Sequence, residues 1–87
     1  MKVLVLYRQQ SDHARAVTDY IRDFEHRSSH AVETLDIDTK AGADMATLYG
    51  IMSYPALVVI DDQGQYQKSW EGEELPLIDE VTSYASS

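Results

Sequence analysis

Apolar residues fall along this chain in two rhythms. Val3-Leu4-Val5-Leu6-Tyr7 is an unbroken apolar run, the pattern of a strand covered on both faces. The polar stretch Arg8-Gln9-Gln10 follows, and Ser11 or Asp12 then stands where a helix N-cap belongs. Ala14, Val17, Ile21 and Phe24 recur every third or fourth residue, which predicts a helix with one apolar stripe. Arg15 and Asp19 form an i,i+4 pair on its polar side. The stripe fades between His26 and Ser29, where the helix is expected to end. Val32, Leu35 and Ile37 predict a second strand within Ala31–Ile37. Strand, helix, strand is a βαβ unit, whose crossover is right-handed in nearly all folds.

Beyond it, Asp38 or Thr39 is placed to cap a helix ending at Tyr49, with Gly50 as its left-handed C-terminal residue. Ser53-Tyr54-Pro55 leads into a second unbroken apolar run, Ala56–Ile60. Asp61-Asp62-Gln63-Gly64 reads as a turn, and Gln65–Trp70 as the returning strand of a hairpin. Gly72 breaks that strand. Glu73–Ala85 predicts a last helix, with Pro76 in its first turn and Leu77 or Ile78, Val81 and Ala85 on its buried side. The predicted order is βαβαββα, three helices on a four-stranded mixed sheet, a complete small α/β domain over residues 1–87.

Composition narrows the function. At 87 residues and 44% apolar content, the chain supports one modest core, since a domain of this size buries only about 60–65% of its unfolded surface. The net charge is −8, which repels phosphate backbones and anionic lipid, so neither nucleic acid nor membrane is an expected partner. No apolar run approaches the roughly 20 residues that span a bilayer. Met1-Lys2 leads straight into the first strand with no signal-peptide pattern, so the expected location is cytoplasmic. There is no cysteine. Disulfides, thiolate nucleophiles and Cys-ligated metals are therefore excluded.

The order of elements, with Leu35-Asp36-Ile37-Asp38, the run Ala46-Thr47-Leu48-Tyr49-Gly50-Ile51-Met52-Ser53-Tyr54-Pro55-Ala56-Leu57-Val58-Val59-Ile60 and the closing Asp61-Asp62-Gln63-Gly64, resembles the thioredoxin and glutaredoxin family. Topology carries the likeness over the whole chain, and the motif over about 30 residues. The resemblance implies a cis peptide bond before Pro55, leaving the Tyr54 backbone facing outward to pair with an extended peptide. It also implies a redox Cys-x-x-Cys at the start of the first helix. Aligning the buried Val17 and Ile21 puts Ser11-Asp12-His13-Ala14 there instead. Serine cannot replace cysteine in disulfide exchange, because its alkoxide is inaccessible near pH 7 and oxygen forms no mixed disulfide. The fold is expected to survive without the reaction.

The candidate binding residues are accordingly Ser11, Asp12, His13, Tyr54 and Pro55, flanking one groove, with no catalytic residue, metal or cofactor expected. The expected role is a non-redox binding or adaptor module that takes a protein or extended peptide. A nucleophile reading of Ser11 with His13 as base lacks an orienting acid. A second class of function is an anionic-ligand or glutathione-type binder or enzyme using Arg8, Ser11 and His13. It lacks the helical second domain of glutathione transferases, and Ser69-Trp70-Glu71 does not reproduce their acidic-Ser signature. A third is a structural oligomer-forming subunit, with Tyr54 and Trp70 as candidate anchors. His26 and His30 share the spacing of a helical metal pair, but Ser28-Ser29 between them predicts that the helix has already ended.

Overall fold

A computed structural model describes residues 1–86. Its elements are β1 (Lys2–Tyr7), α1 (Ala14–Ser28), β2 (Val32–Asp36), α2 (Lys40–Tyr49), β3 (Ala56–Ile60), β4 (Tyr66–Glu71) and α3 (Ile78–Thr82), with a 3₁₀ turn over Ser83–Ser86. The sheet runs β2-β1-β3-β4. β1 pairs parallel with β2 and antiparallel with β3, and β3 pairs antiparallel with β4. This is a thioredoxin-like four-stranded mixed sheet in the order βαβαββα.

The two unbroken apolar runs are the two central strands, and their alternation builds two cores. Val3, Val5 and Tyr7 of β1, with Leu57 and Val59 of β3, face Val17 and Phe24 of α1 and Val81 of α3. Leu4 and Leu6, with Ala56, Val58 and Ile60, face Ile37, Ala46 of α2 and Ile51. Side chains alternate across a strand, so a strand covered on both sides must be apolar at every position. That is what the runs recorded.

Both long helices end on local chemistry. At the end of α1 the Ser28 hydroxyl donates to the Phe24 carbonyl (2.6 Å) and accepts from the His30 N–H (3.1 Å). Ser29 takes the left-handed C-cap, φ 62°. The N-cap of α2 is Thr39, whose Oγ1 accepts from Gly42 N–H at 3.1 Å and donates to the Asp36 carbonyl at 2.6 Å. Gly50 is left-handed at its C-cap, φ 67°.

Three expectations need correction. Asp19 pairs with Arg22 at 3.4 Å rather than with Arg15. The α1 N-cap is His13 rather than Ser11 or Asp12, and no side chain caps it. The Ser11 hydroxyl is turned back to donate to the Arg8 carbonyl, so it is not available to the helix amides. The last helix is much shorter than Glu73–Ala85. Residues 73–77 instead run non-helically from the end of β4, with Pro76 buried and Leu77 as the N-cap of α3. Proline disfavours helix in the residue before it, which keeps Leu75 out of the helix. The burial expected of the Ala85 side chain falls outside what the structure describes.

Tyr20 of α1 is half-buried, and its hydroxyl oxygen is buried without a hydrogen-bond partner among the described residues. Burial, with the negative charge of Glu80 adding to it, pushes its pKa up to about 12 from 10.0. The unfolded chain therefore releases this proton near pH 10, before the folded protein does. The stability involved is fully present below pH 10 and is lost as pH rises toward 12. Tyr20→Phe removes an unsatisfied polar atom and this titration together. The variant is expected to be about 1 kcal/mol more stable at pH 7, with a shallower stability loss between pH 10 and 12. Urea melts at pH 7 and pH 10.5 check both. A variant less stable at neutral pH would contradict the account.

Candidate functional site

β1 ends at Tyr7, and residues 8–13 turn above the sheet before α1 begins. Four side-chain contacts hold that turn, the longest from the Gln9 N–H to Asp36 Oδ2 at 3.4 Å. The Arg8 N–H donates to His13 Nε2 at 3.2 Å, the Ser11 hydroxyl donates to the Arg8 carbonyl, and the Arg8 Nε–H donates to Asp38 Oδ1 at 3.2 Å. The His13 ring lies 6.4 Å from that of Tyr7, centroid to centroid. Because Nε2 already accepts a hydrogen bond, His13 cannot use that nitrogen as a base toward Ser11. The Ser11 proton is directed to a carbonyl, away from the imidazole. The arrangement builds a turn and assembles no nucleophile.

The second wall comes from the same end of the sheet, where the start of β3 lies beside the end of β1 in the antiparallel register Leu6–Ala56. The Tyr54–Pro55 peptide bond is cis, and Pro55 is fully buried at the start of β3. The preceding loop is fastened from β4: Glu71 Oε1 accepts from the Met52 N–H at 2.6 Å and from the Ser53 N–H at 3.0 Å. The Gly72 N–H donates to the Pro55 carbonyl at 2.9 Å. Gly72 sits at φ 105°, backbone territory that favours glycine, and there the chain turns out of β4.

These pieces meet in a cleft of about 240 Å³ lined by Asp12, His13, Ala16, Pro55, Glu73 and Leu75. His13, the N-cap of α1, and Pro55, 42 positions apart in sequence, both line it. Tyr54 and Ser11 are placed differently. The Tyr54 side chain packs on the α2 face and lines a second cleft of about 430 Å³ with Arg8, Ile37, Ile51 and the exposed Met52. Ser11 lines neither. Among the described residues, the Tyr54 N–H and C=O enter none of the backbone hydrogen bonds of turns and loops.

The Arg8 Nε–H donates to Asp38 Oδ1 of the β2–α2 connection, and Ser11 and His13 are engaged by the Arg8 backbone. His26 lies in the last turn of α1 and His30 beyond its C-cap, so the two do not share a helix face.

Three residues of the site escaped sequence reasoning. Glu71 lies just past the strand expected over Gln65–Trp70, and nothing local shows that its carboxylate reaches amides 18 and 19 positions back. Glu73 and Leu75 reach the cleft because Gly72 redirects the chain and the last helix starts late. Charge-assisted hydrogen bonds are the stronger kind. Glu71→Ala is accordingly expected to cost about 1–2 kcal/mol, discounted for water access to an exposed site. Backbone amide exchange at Met52 and Ser53 is expected to quicken. Unchanged exchange at both amides would show that the carboxylate does not hold the loop.

No protein-family model matches the chain, and no curated protein matches it in sequence. Solved structures do. A mutant thioredoxin from Halobacterium salinarum superposes with a TM-score of 0.80 at 21% identity, over 94% of this chain and 72% of that one. Thioredoxin 1 from Thermosipho africanus matches at 0.71 and 14% identity, over 99% and 91%. The germline-specific thioredoxin Deadhead from Drosophila melanogaster matches at 0.73 and 17%, over 97% and 76%. The chain has the thioredoxin-like fold and lacks both cysteines of the Cys-x-x-Cys motif. Among the described residues, no helix is long and apolar enough to cross a membrane.

Proposed function

We propose that this protein is a non-redox binding module that holds an extended segment of another protein between the start of α1 and the Tyr54–Pro55 loop. The observation that carries the reading is the convergence of Asp12, His13 and Ala16 with Pro55 on one cleft. Two further features support it. The Tyr54 amide and carbonyl stay outside the backbone bonding of the neighbouring loops, and such groups can pair with an added extended chain. The loops stand on a rigid sheet, the usual setting for binding residues. Thiol–disulfide exchange is excluded by the absence of cysteine.

The test is selection of binders from a displayed library of random nonapeptides, followed by titration of the best one into isotope-labelled protein. The largest amide shifts are expected at Asp12, His13, Ala16, Tyr54, Glu73 and Leu75. Shifts confined to the face around Leu48 and Met52, or a selection that returns no binder, would overturn the proposal.

A further inference from the structure

We infer that the segment held in this cleft is basic, with one apolar side chain seated against Ala16 and Leu75 and Lys or Arg beside it. The inference rests on the binding reading above and adds the chemistry of the partner. The carboxylates of the cleft, Asp12 and Glu73, are both exposed, and neither belongs to an ion pair among the described residues. His13 is the remaining polar group, and its Nε2 is occupied by the Arg8 N–H. Glu74 follows directly in sequence, while the nearest basic residue along the chain, Arg15, does not line the cleft.

The apolar part and the acidic rim ask for different things from one ligand. Ala16 and Leu75, over the buried Pro55, offer an apolar side chain a place to leave water. The volume of about 240 Å³ falls below the roughly 300–1,000 Å³ of small-molecule sites, which suits a side chain better than a free metabolite. The two carboxylates, on a chain of net charge −8, attract cations and repel phosphates and acidic segments. A second copy of this chain carries the same negative charge, so a basic partner fits better than self-association. The cleft beside Tyr54 differs, being bordered by the Arg8 guanidinium.

Three synthetic nonapeptides test this, each with a central Leu in a Gly/Ser background and flanked by two Lys, two Gln or two Glu. Exposed charge pairs contribute about 0.2–1 kcal/mol each, so two pairs correspond to about two- to thirtyfold in favour of the Lys peptide at low salt. That ratio is expected to shrink at roughly 0.3 M salt, as screening shortens the reach of the charges. The Asp12→Asn, Glu73→Gln double variant should lose the preference for the Lys peptide over the Gln and Glu peptides. The Asp12→Lys, Glu73→Lys variant should prefer the Glu peptide. Equal affinity for all three peptides, with shifts still mapping to the cleft, overturns the basic-segment inference and leaves the groove reading standing. A Lys peptide that shifts other acidic surfaces, such as Asp36 and Asp38, also overturns it. If no peptide moves the cleft amides, both readings fall.

Discussion

Gly42→Ala is expected to destabilise the protein by about 3 kcal/mol, the upper end of what overpacking a dense interior costs. The sign is the informative part. In an ordinary helix interior the same change stabilises by about 0.5–1 kcal/mol, because glycine loses more backbone freedom on folding. Gly42 lies in the first turn of α2, buried against the end of β2. A Cβ added there would stand 2.0 Å from the Asp36 carbonyl oxygen, 2.6 Å from its carbon and 3.0 Å from the Ile37 Cα. All three atoms are backbone, so no side-chain rotation relieves the clash. α2 would have to lift from the β2 end, straining the Thr39 hydroxyl that ties the Asp36 carbonyl to the Gly42 amide. For a domain of this length, total stability is of the order of 4–13 kcal/mol. The loss would lower the melting temperature by roughly 12–24 °C. Thermal and urea melts decide it, and a variant as stable as wild type would refute the close packing of α2 on the β2 end.

Phe24→Ala is expected to cost about 3–5 kcal/mol, the range for deleting a large buried aromatic. Phe24 is 0% exposed and is among the largest fully buried side chains. It fills the core between α1, the inner strands and Val81 of α3, and its ring lies 6.2 Å from that of Tyr20. The cavity left by alanine opens under the centre of α1, where the central strands of the sheet cannot collapse without breaking register. Phe24→Leu keeps much of the apolar volume and should lose less than half as much. The pair separates a volume effect from general disruption of the helix: equal losses would show that Phe24 acts by something other than filling space.

Most of the element order was legible because burial leaves a period in the sequence. Val3–Tyr7 and Ala56–Ile60 are apolar at every position because both faces of the sheet are covered. Val17, Ile21 and Phe24 repeat at helical spacing because one face of α1 is buried. Thr39 and Gly50 bracket α2 by chemistry that acts within a few residues. The last helix begins at Ile78 rather than Glu73 because Pro76 keeps the residue before it out of helical backbone, although Ile78 and Val81 stand at the expected helical spacing. Leu75 is half-buried as part of the cleft wall, while Leu77 is exposed.

By itself, the sequence determined the strand and helix order, the absence of thiol chemistry, and the candidates Asp12, His13 and Pro55 for one groove. Only the tertiary structure decided that Tyr54 and Arg8 belong to a different cleft, that Ser11 serves the turn, and that Glu71 fastens the loop before Pro55. It also turned Gly42 from a weak point of a helix into a requirement of packing. The physical reason is range. Periodicity, capping and turn preference act over about four residues and are written locally, whereas the cleft is made by groups brought together through β1, β3 and β4 from distant parts of the chain.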